Sequence, residues 1–158
     1  MISLERIRKQ IEGTPSSEIS SVLRENEVIS MLVKYLKENG WKVKEQIRVN
    51  GGSIDIGADK EGKILLIEAK GEDKGGYISA EMNFQIGLGQ LMSRMKHHEA
   101  EYGLAFPLTD DFKKVLAKYK GSFAFEKLGI YLVPVTRDGN CHLVFPKKAS
   151  DFLREIAL

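Results

Sequence analysis

Residues 63–70, K-I-L-L-I-E-A-K, decide how this chain is expected to fold. The run holds four consecutive aliphatic residues and no turn former, which is typical of a buried strand. Because side chains alternate along a strand, Glu68 and Lys70 should project from one face and Ala69 from the other. Two charged residues therefore stand at the end of the most apolar strand in the sequence.

The stretch before this strand predicts a helix followed by two further strands. A helix is expected over about Glu18–Asn39, because Gly40 is a common helix stop. Trp41–Val49 alternates as a strand, and Ser53–Ala58 is a second, shorter one. Short polar turns join both to KILLIEAK, so the three strands should form an antiparallel meander. Further back, residues 1–13 are typical of a short amphipathic helix.

The stretch after KILLIEAK predicts a helical crossover and more sheet. A glycine-rich loop, Gly71–Gly76, leads into a long helix over about Ser79–Glu99, and Tyr102–Pro107 follows as a strand that should lie parallel to KILLIEAK. The remaining predicted elements are a helix capped by Thr109 and ending near Tyr119, a hairpin of Gly129–Val135 and Cys141–Phe145, and a helix over Ala149–Ala157. The order α-β-β-β-α-β-α-β-β-α predicts one α/β domain, with a core at about 17–108 and a mixed central sheet flanked by helices.

Composition restricts the class of protein. The chain has 158 residues, 42% hydrophobic and 29% charged, which is typical of a soluble globular domain. No apolar run reaches the roughly 18 to 20 residues that a membrane span needs, so no membrane association is expected. The single Cys141 cannot form an internal disulfide, which favours the cytoplasm, and it is expected to be a small buried hydrophobe. A net charge of +2 is too balanced to indicate nucleic-acid binding by itself.

Two acidic residues lie inside predicted strands, where acids are depleted and costly to bury alone. Asp55 stands between Ile54 and Ile56, and Glu68 stands near the end of KILLIEAK. If these strands pair as a hairpin, the two carboxylates come close and repel each other unless a proton, a lysine or a divalent cation lies between them. Oxygen ligands that leave room for water suit Mg²⁺ or Mn²⁺.

The spacing of an acid, any residue and a lysine carries little information alone. It occurs four times in the chain, at Glu61/Lys63, Glu68/Lys70, Glu72/Lys74 and Asp111/Lys113. Only the copy Glu68-Ala69-Lys70 ends a buried-type strand directly after a strand with an isolated acid. The alternative is an ordinary ion pair at a solvated strand end, with Asp55 facing water.

Two helices supply further candidates. At about 100° per residue, Glu25 falls near the centre of the apolar stripe of the first long helix, where a metal or Lys70 would be its partner. Alternatively, Glu25 lies near the helix start and reaches solvent. Gln90 shares its helix with Gly87 and Gly89, which each cost roughly 1 kcal/mol relative to alanine and indicate close packing or close approach to the backbone. Alternatively, Gln90 only bonds a neighbouring carbonyl.

Taken together, these residues resemble the PD-(D/E)xK, or restriction-endonuclease-like, superfamily of nucleases. The matching positions are Glu25-x-x-Val28, Gly40-Trp41, Ser53-Ile54-Asp55, Ile67-Glu68-Ala69-Lys70 and Gly89-Gln90-Leu91. Their order is similar to the Mrr and Holliday-junction-resolvase branches, it covers roughly residues 20–108, and it implies an α-β-β-β-α-β core. Ile54 replaces the proline of the motif name, which leaves the ligands unchanged.

The resemblance implies a Mg²⁺-dependent endonuclease that hydrolyses DNA, with Mn²⁺ as a substitute ion. Asp55 and Glu68 would hold the metal with help from the Ala69 carbonyl. Lys70 would orient or help deprotonate the attacking water, and Glu25 would hold water on the metal or a second ion. The complete candidate set is Glu25, Asp55, Glu68, Ala69, Lys70 and Gln90.

Several alternatives remain open on the same fold. The chain could be a catalytically inactive module that binds nucleic acid or a protein partner, within a restriction, repair or DNA-excision system. It could also be a regulatory protein in which Asp55, Glu68 and Lys70 form only an ion-pair network. Cutting both strands of a duplex would favour a homodimer. No element of the sequence indicates a base preference.

Overall fold

A computed structural model describes residues 22–50 and 52–156 of the chain. The segment 1–13 and the first part of the helix expected from Glu18 lie outside the described residues. The helices are α1 (Glu25–Glu38), α2 (Gly76–Arg94), α3 (Asp110–Ala117), α4 (Ala124–Leu128) and α5 (Ala149–Ile156), with a 3-10 turn at Pro146–Lys148. The strands are β1 (Lys42–Val49), β2 (Gly52–Lys60), β3 (Lys63–Ala69), β4 (Glu101–Pro107) and β5 (Ile130–Val135).

The five strands form one mixed sheet in the order β1-β2-β3-β4-β5. The first three strands are antiparallel neighbours, and β3, β4 and β5 are parallel. The predicted meander and the predicted parallel crossover are therefore confirmed, as is the α/β class with a mixed sheet. KILLIEAK supplies the central strand β3, which is buried from Leu65 to its end.

Helices cover both faces of the sheet. α1 lies against the face of β3 that carries Leu65, Ile67 and Ala69, and its fully buried side chains are Val28, Leu32 and Leu36. The opposite core is rich in aromatic rings from α2, β4 and α3, namely Phe84, Phe106 and Phe112. Glu68 and Lys70 point to this second side, where they meet α2. The alternation predicted for β3 is confirmed.

The side chains of β1 change face part-way along the strand. Trp41 and Val43 pack on the α1 side. Ile47 and Val49 pack on the α2 side, so the sequence-based expectation that all four share one face is wrong. The cause is Gln46, whose backbone is left-handed with a φ of 56° and therefore breaks the regular alternation.

α1 begins at Glu25 rather than further upstream. Residues 22–24 are not helical, because the loop after β3 engages their backbone. The Glu72 amide donates to the Leu23 carbonyl at 2.7 Å, and the Leu23 amide donates to the Glu72 carboxylate at 3.1 Å. Gly71 permits this approach, since a Cβ at that position would lie 2.0 Å from the Glu25 nitrogen. The fold thus brings the start of α1 to the end of β3.

The C-terminal hairpin is looser than predicted. β5 joins the sheet parallel to β4, and within the described residues the second arm makes only two isolated antiparallel bridges to it. Pro134 in β5 explains the difference. Its carbonyl accepts from the His142 amide at 3.2 Å, but proline has no N–H with which to donate the return bond.

Smaller differences concern the helix ends. α2 begins at Gly76 and ends at Arg94, earlier at both ends than predicted, and the short α4 was not predicted because one turn gives no periodic signal. Thr109 precedes α3, but its hydroxyl donates to Glu72 at 2.7 Å instead of capping the helix.

Cys141 is buried as predicted, and burial raises the pKa of its thiol to about 11. Across the described part of the chain, no helix combines the length and apolarity that crossing a bilayer requires.

Candidate functional site

Asp55 lies where the pairing between β2 and β3 ends. The last paired residues are Ile56 and Ile67, and beyond them the Asp55 carboxylate occupies the place of the next backbone hydrogen bond. Its Oδ2 atom accepts from the Ala69 amide at 2.8 Å. Ile54 packs on the α2 side whereas Ile56 packs on the α1 side, so the strand turns at Asp55. The acid is thereby anchored at the carboxyl end of β3.

Glu68 is buried beside Asp55, with 5% of its surface exposed. Burial raises the pKa of Glu68 to about 8, and the neighbouring Asp55 carboxyl adds to the rise through its charge and a hydrogen bond. Arg94 and Lys70 lower the pKa of Glu68 by less. The raised pKa favours the protonated form of Glu68 beside the Asp55 carboxyl group. The two carboxyl groups lie close together, as the sequence predicts.

Arg94, at the end of α2, is a site residue that the sequence analysis did not identify. Its Nη1 atom lies 3.6 Å from Glu68 Oε2 and donates to the Gln90 carbonyl at 3.1 Å. Gly52 makes room for it, because a Cβ there would lie 3.2 Å from Arg94 Nη2. The signal in the sequence is its position one helical turn after Gln90, on the same face of α2.

Three buried polar atoms on β3 and α2 have no hydrogen-bond partner among the described residues. They are Glu68 Oε2, Gln90 Oε1 and Arg94 Nε. Most buried polar atoms in native proteins are paired, so such atoms mark a place where a water molecule, an ion or a ligand completes the structure. The alternative in which the Gln90 side chain only bonds a neighbouring carbonyl does not account for its unpaired oxygen.

Lys70 forms an ion pair with Glu25. The Lys70 Nζ atom lies 3.5 Å from Glu25 Oε1, and Lys70 is the more buried of the two. Glu25 is the first residue of α1, and its side chain is 48% exposed. Glu25 falls on the helical face of Val28, Leu32 and Leu36, as predicted, but it lies at the start of the helix and reaches solvent, which was the alternative expected for it. Lys70 is nevertheless its partner, which was one of the two partners expected.

The two glycines of α2 differ in their surroundings. A Cβ on Gly87 would lie 2.7 Å from Lys70 Cγ and 2.9 Å from Leu104 Cδ1, so this glycine lets the Lys70 stem pass under the helix. A Cβ on Gly89 would meet no atom of the described residues within 4 Å. Close intramolecular packing thus explains Gly87 and does not explain Gly89.

The arrangement can hold a divalent cation only in part through side chains. No group of three or more His, Cys, Asp or Glu within residues 22–50 and 52–156 is placed to hold a metal ion. Asp55 and Glu68 offer two adjacent carboxyl groups, and Glu68 Oε2 accepts no hydrogen bond from the described residues. Mg²⁺ is commonly bound by one or two carboxylates, several waters and substrate phosphates, so these residues fit it. The Ala69 amide contacts Asp55, whereas Glu25 is turned to Lys70.

Comparisons with known proteins bear on the fold. No family model and no curated protein matches the chain. Among solved structures, the chain is similar to a fdxN element excision controlling factor protein from Anabaena variabilis. The match has 21% identity, a TM-score of 0.56, and covers 76% of this chain and 97% of that one. At this identity the likeness supports the fold, an α/β domain whose mixed five-stranded sheet is flanked by helices.

Proposed function

We propose that this chain is a metal-dependent nuclease that hydrolyses phosphodiester bonds in DNA, with a site built on Asp55, Glu68 and Lys70. The observation that carries the proposal is the buried Glu68 carboxyl group, which lies against the Asp55 carboxyl and whose Oε2 atom has no hydrogen-bond partner among the described residues. Two carboxyl groups this close are unfavourable when both are ionised, and a divalent cation would offset their charge. The resemblance to the PD-(D/E)xK superfamily assigns the same residues to a metal.

The two carboxyl groups have distinct parts in this proposal. Asp55 is already oriented, because the Ala69 backbone N–H donates to Oδ2 and the side-chain nitrogen Nε2 of Gln46 lies 3.4 Å from Oδ1. Glu68 must lose its proton before it can bind a cation, so cation uptake should release a proton near neutral pH. When bound, the cation would activate a water molecule and offset negative charge on the phosphate.

Lys70 would provide the fixed positive charge of the site. Its stem passes against Gly87, and its side chain is 15% exposed beside Glu25. A positioned ammonium group would attract a phosphate oxygen and orient the attacking water. Arg94, one turn beyond Gln90, would keep the Glu68 side chain in place.

The similar solved structure supports a role of this chain in DNA processing. That protein is described as an excision controlling factor for the fdxN element, and we infer that this chain also acts in DNA processing. A second candidate function is a module of the same fold that binds nucleic acid or a protein partner without cutting. Two observations favour it: the neighbour is described as a controlling factor, and the described residues offer no third acidic ligand.

A cleavage assay tests the nuclease proposal. Linear, supercoiled, single-stranded and branched DNA are each incubated with the full chain in Mg²⁺, Mn²⁺ or EDTA. We expect cleavage of at least one form with a metal ion, none in EDTA, and loss of cleavage in Glu68→Gln. Glu45→Gln is the matched control, because Glu45 is exposed on β1 and should leave the rate unchanged.

Calorimetric titration with Mg²⁺ or Mn²⁺ separates the two candidate functions. A nuclease should take up the ion in the wild type and lose this uptake in Asp55→Asn and Glu68→Gln. A non-cleaving module should show neither site-specific uptake nor cleavage, and that result would overturn the nuclease proposal.

A further inference from the structure

The outward face of α2 is unusually apolar for a helix surface. Eight large hydrophobic side chains are prominently exposed in the described part of the chain, and four of them lie on this helix. They are Ile78 (72% exposed), Met82 (55%), Ile86 (47%) and Met92 (52%). Single exposed hydrophobes are common on proteins, but a contiguous group on one helix marks an interaction surface.

This surface, which we term the α2 stripe, carries no charge. The charged residues of α2 are Glu81 and Arg94, and both are paired to other elements. Glu81 lies 2.7 Å from Lys118 after α3, and Arg94 reaches Glu68 on β3. A solvated helix face normally presents charged or polar residues. Phosphate groups would find no cation on the stripe, so nucleic acid is not its partner.

Gly89 lies within the α2 stripe. At about 100° per residue it falls between Ile78 and Met82 around the helix, and it is exposed with nothing near its Cβ position. Glycine destabilises a helix interior by roughly 1 kcal/mol relative to alanine, and no packing within the described residues accounts for it. A glycine in an apolar helix face instead leaves a hollow into which a side chain of another surface can fit.

The distribution of large and small residues along the stripe fits a second copy of the same helix. Along the centre of the stripe, the large residues Ile78 and Met82 lie before its midpoint and the small residues Gly89 and Ser93 lie after it, whereas Met92 lies at the edge of the stripe. Met82 and Gly89 stand at equal distances from the middle of the stripe, and so do Ile78 and Ser93. If two copies cross antiparallel about a two-fold axis near Ile86, Met82 therefore meets Gly89 of the second copy and Ile78 meets its Ser93, while the two Ile86 side chains face each other at the axis.

Charge favours the same arrangement. Residues near a two-fold axis face their own kind, so any charge there would meet a like charge. The stripe avoids this repulsion because it has no ionisable side chain, and antiparallel helices also oppose their dipoles favourably. From Ile78 to Ser93 it spans only about 22 Å, so the contact belongs to the weaker class of interfaces, below about 1,200 Å².

We propose that the chain forms a two-fold homodimer through the α2 stripe, with Met82 of each copy seated against Gly89 of the other. The proposal goes beyond the proposed nuclease function and does not depend on it. An Asp55→Ala variant should therefore dimerise like the wild type even though it should not cleave DNA.

Sedimentation velocity over a series of concentrations of the full chain tests this proposal. The wild type should pass from monomer to dimer as its concentration rises. Ile86→Lys should raise the dissociation constant at least tenfold, because it places two like charges near the axis. Ile64→Lys is the matched control, since Ile64 is also an exposed isoleucine but lies on β3, and it should dimerise normally.

Two further variants keep the proposal open to refutation. Gly89→Leu should weaken the dimer by filling the hollow while stabilising the isolated helix, a combination that misfolding cannot produce. An equimolar mixture of Ile86→Lys and Ile86→Glu should regain dimer that neither variant forms alone. A wild type that stays monomeric, or a dimer that these changes leave intact, would overturn the proposal. The proposal would also be overturned if the protein is a monomer and Ile86→Lys lowers its free energy of unfolding, since another part of the same chain would then cover the stripe.

Discussion

The face of α2 turned to β3 buries one polar atom each of Gln90 and Arg94 that has no hydrogen-bond partner in the described part of the chain, whereas its outward face exposes Ile78 and Met82. Both arrangements raise the free energy of the isolated domain, since buried polar atoms are normally paired and apolar groups are normally covered. The two faces differ in the kind of binding partner that would lower this free energy. The inner face calls for an ion, water or a charged ligand, and the outer face calls for another apolar surface.

The largest expected effect concerns the inner face. Asp55→Ala and Lys70→Ala should each lower the rate of metal-dependent DNA cleavage by a factor on the order of 10² to 10³ or more, because each removes a charge from the site. Circular dichroism and thermal unfolding should show that both variants remain folded. Lys44→Met, at an exposed position of β1, is the control. Full activity in either site variant would remove the basis for the proposed site.

The two glycines of α2 allow the faces to be compared directly. Gly87→Ala should destabilise the protein by about 1 to 3 kcal/mol, since its Cβ would lie within 3 Å of Lys70 and Leu104. Gly89→Ala should instead stabilise the monomer by up to about 1 kcal/mol, because none of the residues 22–50 and 52–156 lies within 4 Å of its Cβ position. Denaturant unfolding at low protein concentration measures both. Equal effects of the two substitutions would show that the faces do not differ in packing.

The pH dependence of stability probes the inner face without a substrate. The folded protein raises the pKa of Glu68 from 4.5 to about 8, so it binds the Glu68 proton more tightly than the unfolded chain does. This contribution is present in full below pH 4.5 and is lost as the pH rises through about 8. The free energy of unfolding of the metal-free protein should therefore fall across this interval.

Glu68→Gln serves as the comparison for that pH profile. The glutamine amide stays neutral, so the fall in the free energy of unfolding that Glu68 causes should be absent. At alkaline pH the variant should therefore be more stable than the wild type. Mg²⁺ should stabilise the wild type at that pH and leave Glu68→Gln unaffected, because only the wild type can exchange its proton for the ion. Parallel pH profiles for the two proteins would show that Glu68 is not the titrating group.

The parts of this molecule that the sequence predicted well depend on local rules. The alternation in KILLIEAK placed Glu68 and Lys70 on one side of β3, and the polar turns placed Asp55 beside them. These conclusions needed only the strand period and the pairing of neighbouring strands. Gly87 was also interpretable, because a glycine inside a helix has an energetic cost that close packing can explain.

The remaining features depend on contacts between distant residues. The start of α1 is set by hydrogen bonds between Leu23 and Glu72, which are far apart in the chain. Arg94 joins the site only because Gly52, on another element, leaves space for it. Pro134 did carry a local warning, since a proline inside a paired strand removes one hydrogen bond from the ladder. Distance in sequence, rather than weakness of the signal, explains most of what the sequence analysis missed.

The smallest expected effect concerns Gln46, which lies beside the inner face on β1. Its left-handed backbone is unfavourable for a residue with a Cβ, so Gln46→Gly should stabilise the protein by up to about 1 kcal/mol. The side-chain hydrogen bonds that this substitution removes are long. Gln46 Nε2 lies 3.4 Å from Asp55 Oδ1, and Gln46 Oε1 lies 3.4 Å from the Ser53 hydroxyl. Denaturant unfolding of Gln46→Gly and Gln46→Ala separates the two contributions. If Gln46→Ala is more stable than Gln46→Gly, the left-handed backbone at this position does not destabilise the protein. In that case the side chains around Asp55 hold the strand in this conformation.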